Sequence, residues 1–406
     1  MSSMPSPFPY GASPQLGLAT DPDCRRVLLV AGEASGDLLG AHLAQALLRQ
    51  DSRLQLYGLG GERMAAAGCR LLAPASALSV MGLVEVVRHL PRILAVFRLL
   101  AGALRGPLRP DLVILIDSPD FNLPLATRAR RAGVPVLYYV SPQVWAWRAG
   151  RVRRIARDVA KLAAILPFEP ACYEGLPLDV RYVGHPLLDE VDRAGAEPPL
   201  AAAAWPERTT PAWPLIGLFP GSRPTELAFS VPLLLETARR LRQIYPTAAF
   251  IVPLAPGLAA APLRQAITAA GLPIRLTDAS VYAVARSCTL VLAVSGTVTL
   301  QVALMETPLI LFYRTAPLSY ALGRLLVRVR HFGLPNIIAG RLLVPELLQH
   351  EASPERLVAE ARRLLDQPAL AQQLREELRG LRQQMGTPGC AERVAAMAFE
   401  LLGQRP

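Results

Sequence analysis

Short aliphatic runs recur along this chain, separated by stretches in which apolar residues return every three or four positions. Arg25–Ala31 reads as a strand, GEASGD (Gly32–Asp37) as a polar glycine turn, and Leu38–Arg49 as an amphipathic helix with apolar residues at 38, 39, 43, 46 and 47. Further strands are predicted at Leu54–Leu59, Leu112–Ile116, Val134–Val140, Leu162–Leu166 and Val180–Val183, with helical segments between most of them. Five consecutive aliphatics at 112–116 are the signature of a strand buried on both faces of a parallel sheet. The alternation predicts an α/β fold, a parallel sheet with helices on both sides.

The pattern then restarts. Asp192–Pro214 is rich in proline and alanine and reads as a linker, after which come a strand at Leu215–Phe219, a PGSR loop (Pro220–Arg223) and a helix from about Thr225 to Gln243. Later strands are predicted at Phe250–Leu254, Ile274–Thr277, Leu290–Val294 and Leu309–Tyr313, and closing helices at Pro354–Leu365, Ala369–Gln384 and Ala391–Leu402. The organisation expected is a flexible extension over 1–24, a Rossmann-like domain over 25–191, a linker over 192–214, a second Rossmann-like domain over 215–386, and a C-terminal helix in 387–406 free to pack back on the first domain.

Length agrees, since 406 residues exceed one ordinary core. With 52% hydrophobic and 18% charged residues the chain is globular, and its net charge of +11, carried mostly by arginine, favours anionic partners. The five cysteines (24, 69, 172, 288 and 390) show no metal or redox spacing and fit a reducing cytoplasm. The first residues have neither a basic start nor an apolar core, so no secretion signal is expected there. Two long uncharged windows raise the question of a membrane span. Prolines 246, 253, 256 and 262 break Gln243–Leu263, and Ser287–Met305 divides better into strand, turn and helix, so no span is expected.

Candidate chemistry sits where strands end. Asp117 follows the run at 112–116, at the carboxyl edge where open α/β sheets bind ligands; capping of the next helix is the alternative. GEASGD is not a dinucleotide fingerprint, because Glu33 and Asp37 would repel a pyrophosphate, and it suits hydroxyls or a helix cap by Ser35 or Asp37. PGSR and SGT (Ser295–Thr297) each follow a buried strand and open a helix, an arrangement that favours an anion, with Ser222, Ser295 and Thr297 hydroxyls and the Arg223 fork as further donors. Two helix caps would leave the same trace. The only DxD, Asp21–Asp23, lies in the extension and the histidines lack ligand spacing, so no metal or cofactor is expected, and His185 reads as structural. Met81–Arg105, with arginines at 88, 92, 98 and 105, is a basic amphipathic helix suited either to a membrane surface or to the sheet. The arginines of WAWRAGRVRRIAR (Trp145–Arg157) come without a nucleic-acid motif and read as a solvated or membrane-facing patch.

Taken in order, GEASGDLLG, MGLVEV, DSPDFN, YYVSPQVWAW, ILPFE, YVGHPLLD, PGSR, SGTVTL and LPNIIAGR resemble the lipid-A-disaccharide synthase family from about Val27 onward. The set is specific, although no single motif is. The resemblance implies a GT-B glycosyltransferase, two Rossmann-like α/β domains whose parallel sheets face each other across a cleft. It implies an inverting transfer from UDP-2,3-diacylglucosamine to 2,3-diacylglucosamine 1-phosphate (lipid X), giving a β-1,6 disaccharide and UDP in lipid A biosynthesis. Rival readings are another UDP-sugar enzyme of this fold, an epimerase, or a non-catalytic nucleotide- or lipid-binding protein.

By the same resemblance Asp117 is the catalytic base and Asp120 structural. Glu33, Ser35, Asp37, Met81, Glu85 and Asn122 form the acceptor side, and Ser222, Arg223, Ser295, Gly296, Thr297, Gln301 and Asn336 hold UDP without a metal. The acyl chains of both substrates favour a cytoplasmic protein held peripherally at the anionic inner-membrane surface through Met81–Arg105, with no nucleic-acid partner. One departure stands out. The family usually has glutamate after SGTxxL, to accept ribose hydroxyl hydrogen bonds, and this chain has Gln301, which predicts retained activity with weaker UDP affinity.

Overall fold

The computed structural model describes residues 24–78, 83–107, 109–147, 150–195, 200, 214–255, 257–316, 320 and 329–403. The chain forms two compact units, one from residues up to Pro186 together with Gly389 onward, the other Leu187–Pro388.

Unit 1 is a sheet of seven parallel strands: β1 (Arg26–Ala31), β2 (Gln55–Gly60), β3 (Arg70–Pro74), β4 (Leu112–Ile116), β5 (Val136–Tyr139), β6 (Lys161–Ala164) and β7 (Asp179–Tyr182), in the spatial order 3-2-1-4-5-6-7. Helices α1 (Ala34–Gln50), α2 (Glu62–Ala66), α3 (Leu83–Ala103), α4 (Pro119–Arg131) and α5 (Arg151–Asp158) connect them. Every residue of β4 is fully buried, as its unbroken aliphatic run requires. Two cores cover the two faces. Leu28, Val30, Val113 and Leu115 pack with Val96 and Leu100 of α3 on one, and Leu29, Ile114 and Ile116 pack with α1 on the other.

Unit 2 opens with α6 (Pro186–Ala194) and has six parallel strands, β8 (Leu215–Phe219), β9 (Ala249–Pro253), β10 (Ile274–Thr277), β11 (Leu290–Val294), β12 (Leu309–Tyr313) and β13 (Glu346–Leu348), ordered 10-9-8-11-12-13. Its helices are α7 (Pro224–Ile244), α8 (Ala260–Ala270), α9 (Val281–Ser287), α10 (Thr297–Leu304), α11 (Leu334–Ala339), α12 (Pro354–Leu365) and α13 (Pro368–Gln384). The last helix, α14 (Cys390–Gly403), belongs to unit 1, where Cys390, Val394, Met397, Ala398 and Leu401 enter the core beside α1. Polar contacts hold it too: Lys161, 7% exposed in its side chain, meets Glu400 and Asp179, and Arg181 pairs with Glu400 at 2.7 Å.

Some expectations need correction. Strands β3 and β13 and helix α2 carry no clear sequence signal: β3 has exposed ends and β13 is three residues long, too short for a periodicity. Helix α1 begins at Ala34, inside the expected turn, and α6 takes up Asp192–Ala194, the start of the expected linker. Around α5, Arg154 and Arg157 keep 42% and 57% of their side chains exposed, as a solvated patch would, while also pairing within the protein. Arg130, Arg154 and Arg157 converge on Asp158, whose burial opposes ionisation but whose hydrogen bonds from Arg157, Thr127 and Arg130 hold its pKa down at about 2. No helix among the described residues is long and apolar enough to cross a membrane.

Candidate active site

Each sheet reverses its order once, between β1 and β4 in unit 1 and between β8 and β11 in unit 2. Loops leaving these adjacent strand ends diverge and leave a crevice between them. In unit 1, Ala31 lies opposite Ile116, so the turn beginning at Gly32 and the loop beginning at Asp117 start side by side. They touch: a Cβ on Gly32 would come within 2.9 Å of the Ser118 hydroxyl oxygen.

Asp117 and Ser118 are both left-handed, at φ 50° and 43°. Such a conformation costs a non-glycine residue about 1–3 kcal/mol, so its surroundings must enforce it. The Asp117 N–H donates to Tyr139 O at 3.0 Å. Its carbonyl accepts from Asn122 Nδ2 at 2.7 Å and from the Tyr138 hydroxyl at 2.6 Å. Asn122 and Tyr138 are completely buried, so the clamp is a rigid one. Helix α4 takes Ser118 as its N-cap residue, which leaves the Asp117 carboxyl to other work than capping it.

That carboxyl is half-buried. Burial raises its pKa, the nearby Glu33 carboxylate raises it further, and the Ser118 N–H opposes both. A carboxylate destabilised in this way takes up a proton more readily, which is what a general base needs. Glu33 and Ser35 are exposed beside it. Asp120 pairs with Arg151 of α5, tying the DSPDFN loop down.

Two residues expected to face the acceptor are engaged elsewhere. The buried Asp37 carboxylate accepts from the N–H groups of Gly61 (2.6 Å), Met64 (3.1 Å) and Arg63 (3.2 Å), capping α2 rather than its own helix. Asn122 gives its amide N–H groups to Ile116 O and Asp117 O, and its buried Oδ1 has no bonded partner among the described residues. Met81 lies outside the described residues, and Glu85 sits on α3 with its side chain likewise outside them.

In unit 2 the PGSR and SGT loops leave the paired strands β8 and β11 and line one cavity of about 340 Å³. Ser222, Arg223, Ser295, Gly296, Thr297 and Gln301 all face it, with Phe219, Pro253 and Val281 as apolar walls. The two loops differ. Over PGSR lies the Glu226 carboxylate, which accepts from Ser222 N–H at 3.2 Å, Arg223 N–H at 3.3 Å and Arg223 Nη1 at 2.9 Å, a capping box that occupies the donors expected for an anion. The Arg223 side chain remains 59% exposed, with its Nη2 unbonded among the described residues. At the start of α10, Gly296 and Thr297 are exposed and no side-chain cap covers their N–H groups.

Asn336, expected at UDP, does not line the cavity. It is fully buried and donates to Val344 O (3.0 Å) and Glu346 (2.8 Å) while accepting from Leu343 and Val344 N–H (both 2.9 Å). Those four bonds use its whole capacity, so its work is to order the turn before β13. Sequence reasoning passed over Glu226, because arginine at the N-cap is not the Ser or Thr that makes a capping box legible. It also passed over Tyr138, which no local pattern connects to Asp117.

A family model described as Lipid-A-disaccharide synthetase matches residues 27–397. The Lipid-A-disaccharide synthase of Syntrophotalea carbinolica is 48% identical over 392 residues, 94% of this chain and 97% of that protein. That of Geobacter sulfurreducens is 45% identical over 388 residues, 95% and 100% of the two chains. Among solved structures, the calicheamicin glycosyltransferase superposes with a TM-score of 0.61 at 15% identity, covering 94% of this chain and 99% of its own, a likeness that speaks to the shared GT-B fold alone. Matched by the family model over residues 27–397 and by relatives 48% and 45% identical along nearly their whole length, the chain belongs to the lipid-A-disaccharide synthase family of glycosyltransferases.

Proposed function

We propose that the enzyme transfers a 2,3-diacylglucosamine unit from its UDP derivative to the 6-hydroxyl of 2,3-diacylglucosamine 1-phosphate with inversion at the anomeric carbon. The acceptor oxygen attacks that carbon as its proton passes to Asp117. The bond from the anomeric carbon to the UDP oxygen breaks, and UDP leaves with the electron pair. The observation that carries this reading is the Asp117 carboxylate, clamped at a switch point in a left-handed turn and made more basic by burial and by Glu33. Glu33 and Ser35 supply the acceptor side.

UDP binds the cavity of unit 2, its diphosphate on the Gly296 and Thr297 N–H groups, the hydroxyls of Ser295 and Thr297, and the open edge of Arg223. Gln301 takes the ribose. Developing charge on the leaving group is then met by fixed dipoles and an arginine. Helix α3 supports peripheral membrane attachment, with Leu90 and Leu94 46% and 42% exposed and Arg98 one turn further on.

The test is UDP release with both diacylated substrates, wild type against Asp117→Asn. Release only from wild type with both substrates present is the expected result, and no release from wild type sinks the reading. The anomeric configuration of the product, read by proton NMR, tests inversion. Co-sedimentation with anionic vesicles should weaken as salt rises, and binding indifferent to salt counts against an arginine-borne attachment.

A further inference from the structure

One wall of the unit 2 cavity is backed by a chain of three polar side chains from three helices. Gln301 of α10 donates its amide Nε2–H to the Tyr282 hydroxyl of α9 at 3.0 Å, and that hydroxyl donates to Glu190 Oε2 of α6 at 2.6 Å. Tyr282 is 9% exposed and Glu190 and Gln301 partly buried, so protein contacts rather than bulk water set the geometry. A phenol has one proton to give. Here it goes to Glu190, an acceptor that cannot return one when ionised, and the remaining side of the hydroxyl oxygen can only accept. Whatever stands at 301 must therefore donate.

We infer that Glu190 and Tyr282 are positioning residues that fix the direction of this hydrogen-bond chain and so hold Gln301 with its Oε1 as the group free for a ligand. An amide has two faces, and an unanchored one could offer either a donor or an acceptor. With Nε2 taken by Tyr282, position 301 presents an acceptor to the cavity, and the ligand group it meets is a hydrogen-bond donor such as a sugar hydroxyl. The inference rests on the proposed UDP pocket for the identity of that ligand, though the chain itself does not. It also gives a physical reason for the amide, and it reverses the expectation from the family pattern that glutamate at 301 would hold UDP more tightly. A carboxylate at 301 would place a second acceptor on a hydroxyl whose one proton is already given, and would set two negative charges on either side of a buried phenol.

The chain can run the other way. In a Glu190→Gln, Gln301→Glu double variant the amide at 190 donates to Tyr282 and Tyr282 donates to the carboxylate at 301, so both bonds are kept with reversed direction. Glu190→Gln alone keeps the original direction, because an amide oxygen still accepts.

Titration calorimetry with UDP on the full chain should therefore find Glu190→Gln within about twofold of wild type, Gln301→Glu weaker by about tenfold, and the double variant recovered to within about threefold of wild type. If Gln301→Glu weakened binding only through its new charge at the ligand, with no chain behind it, a substitution at 190 would not repair it. The same order should appear in Tm without ligand, with Gln301→Glu lowest and the double variant restored. Gln301→Glu binding as tightly as wild type, or a double variant no better than Gln301→Glu, overturns the inference. If wild type does not bind UDP at all, the pocket assignment fails, and the Tm series then decides the chain's direction alone: restoration supports it and its absence overturns it.

Discussion

At the end of β4 the Asp117 N–H donates to Tyr139 O on the next strand, and at the end of β11 the Ser295 N–H donates to Phe312 O on the next strand. The two positions are topological equivalents, the first residue past the strand that follows each reversal of order. From there they part. Unit 1 turns through two left-handed residues and keeps a half-buried carboxylate, whereas unit 2 passes through an exposed glycine and opens a helix with its N–H groups uncovered. On the proposed function, one backbone plan thus serves a proton acceptor in one unit and anion binding in the other. What decides is the turn: a left-handed pair clamped from below fixes a side chain, and an extended glycine clears the backbone for a ligand.

The sharpest break of this comparison is Asp117→Asn. Keeping shape while removing basicity, it should lower kcat by roughly a thousandfold and leave UDP affinity unchanged, because the proposed base and the proposed UDP pocket are built from different units. A comparable loss in UDP affinity, measured by calorimetry, would show that the division of labour is wrong.

Unit 1 also bears the cost of buried titratable groups. Burial pushes Glu169 up to about 7 despite N–H donors from Leu166, Trp145 and Ile165, and burial brings His185 down to about 4. For Glu169 the folded pKa lies above the ordinary carboxylate value, so its contribution is full below about 4.5 and is lost as pH rises towards 7. For His185 the folded pKa lies below the ordinary value, so its contribution is present above about 6.5 and is lost as pH falls towards 4. Between those limits the two slopes oppose each other. In Glu169→Gln, denaturant melts should show stability relative to wild type rising from pH 4.5 to 7, by more than about 1 kcal/mol. A flat difference would mean that Glu169 titrates normally.

Tyr138→Phe tests the clamp. Removing the hydroxyl that holds the Asp117 carbonyl should lower kcat about tenfold with KM little changed, and lower unfolding free energy by about 1 kcal/mol. Loss of stability alone, with kcat intact, would make the hydroxyl structural only.

The smallest effect is expected at PGSR. Glu226→Gln removes the charge that competes for the Ser222 and Arg223 donors and should tighten UDP binding about threefold, at a small loss in Tm from the weakened capping box. Weaker binding would mean that Glu226 orders the loop for the ligand instead of standing in its place.

How much was legible in the sequence follows from burial. Strands β4, β8, β11 and β12 coincide with their aliphatic runs to the residue, because strands covered on both faces need apolar residues at every position. Of the edge strands, β3 has exposed ends and β13 only three residues, and these two left no run to see. Asp117 was legible as the first polar residue past such a run. Its left-handed turn was not, since aspartate and serine do not announce that conformation, and neither was the Tyr138 hydroxyl that reaches it from 21 residues away. Asp37 misled for a related reason: its sequence neighbours suggest a cap on its own helix, whereas its partners, 24 to 27 residues on, come from α2. Local motifs identify chemistry, and chain topology decides what that chemistry is spent on.

The return of α14 to unit 1 has a consequence for how the protein is made. Unit 2 is encoded without interruption, while unit 1 is encoded in two pieces that flank it. As the chain leaves the ribosome, unit 2 has all its parts while the face of unit 1 beside α1 still waits for Val394, Met397 and Leu401, and Lys161 still waits for Glu400. Termination before Cys390 would leave unit 2 whole and unit 1 with an open apolar face. Of the two units, the one begun earlier is the one finished later.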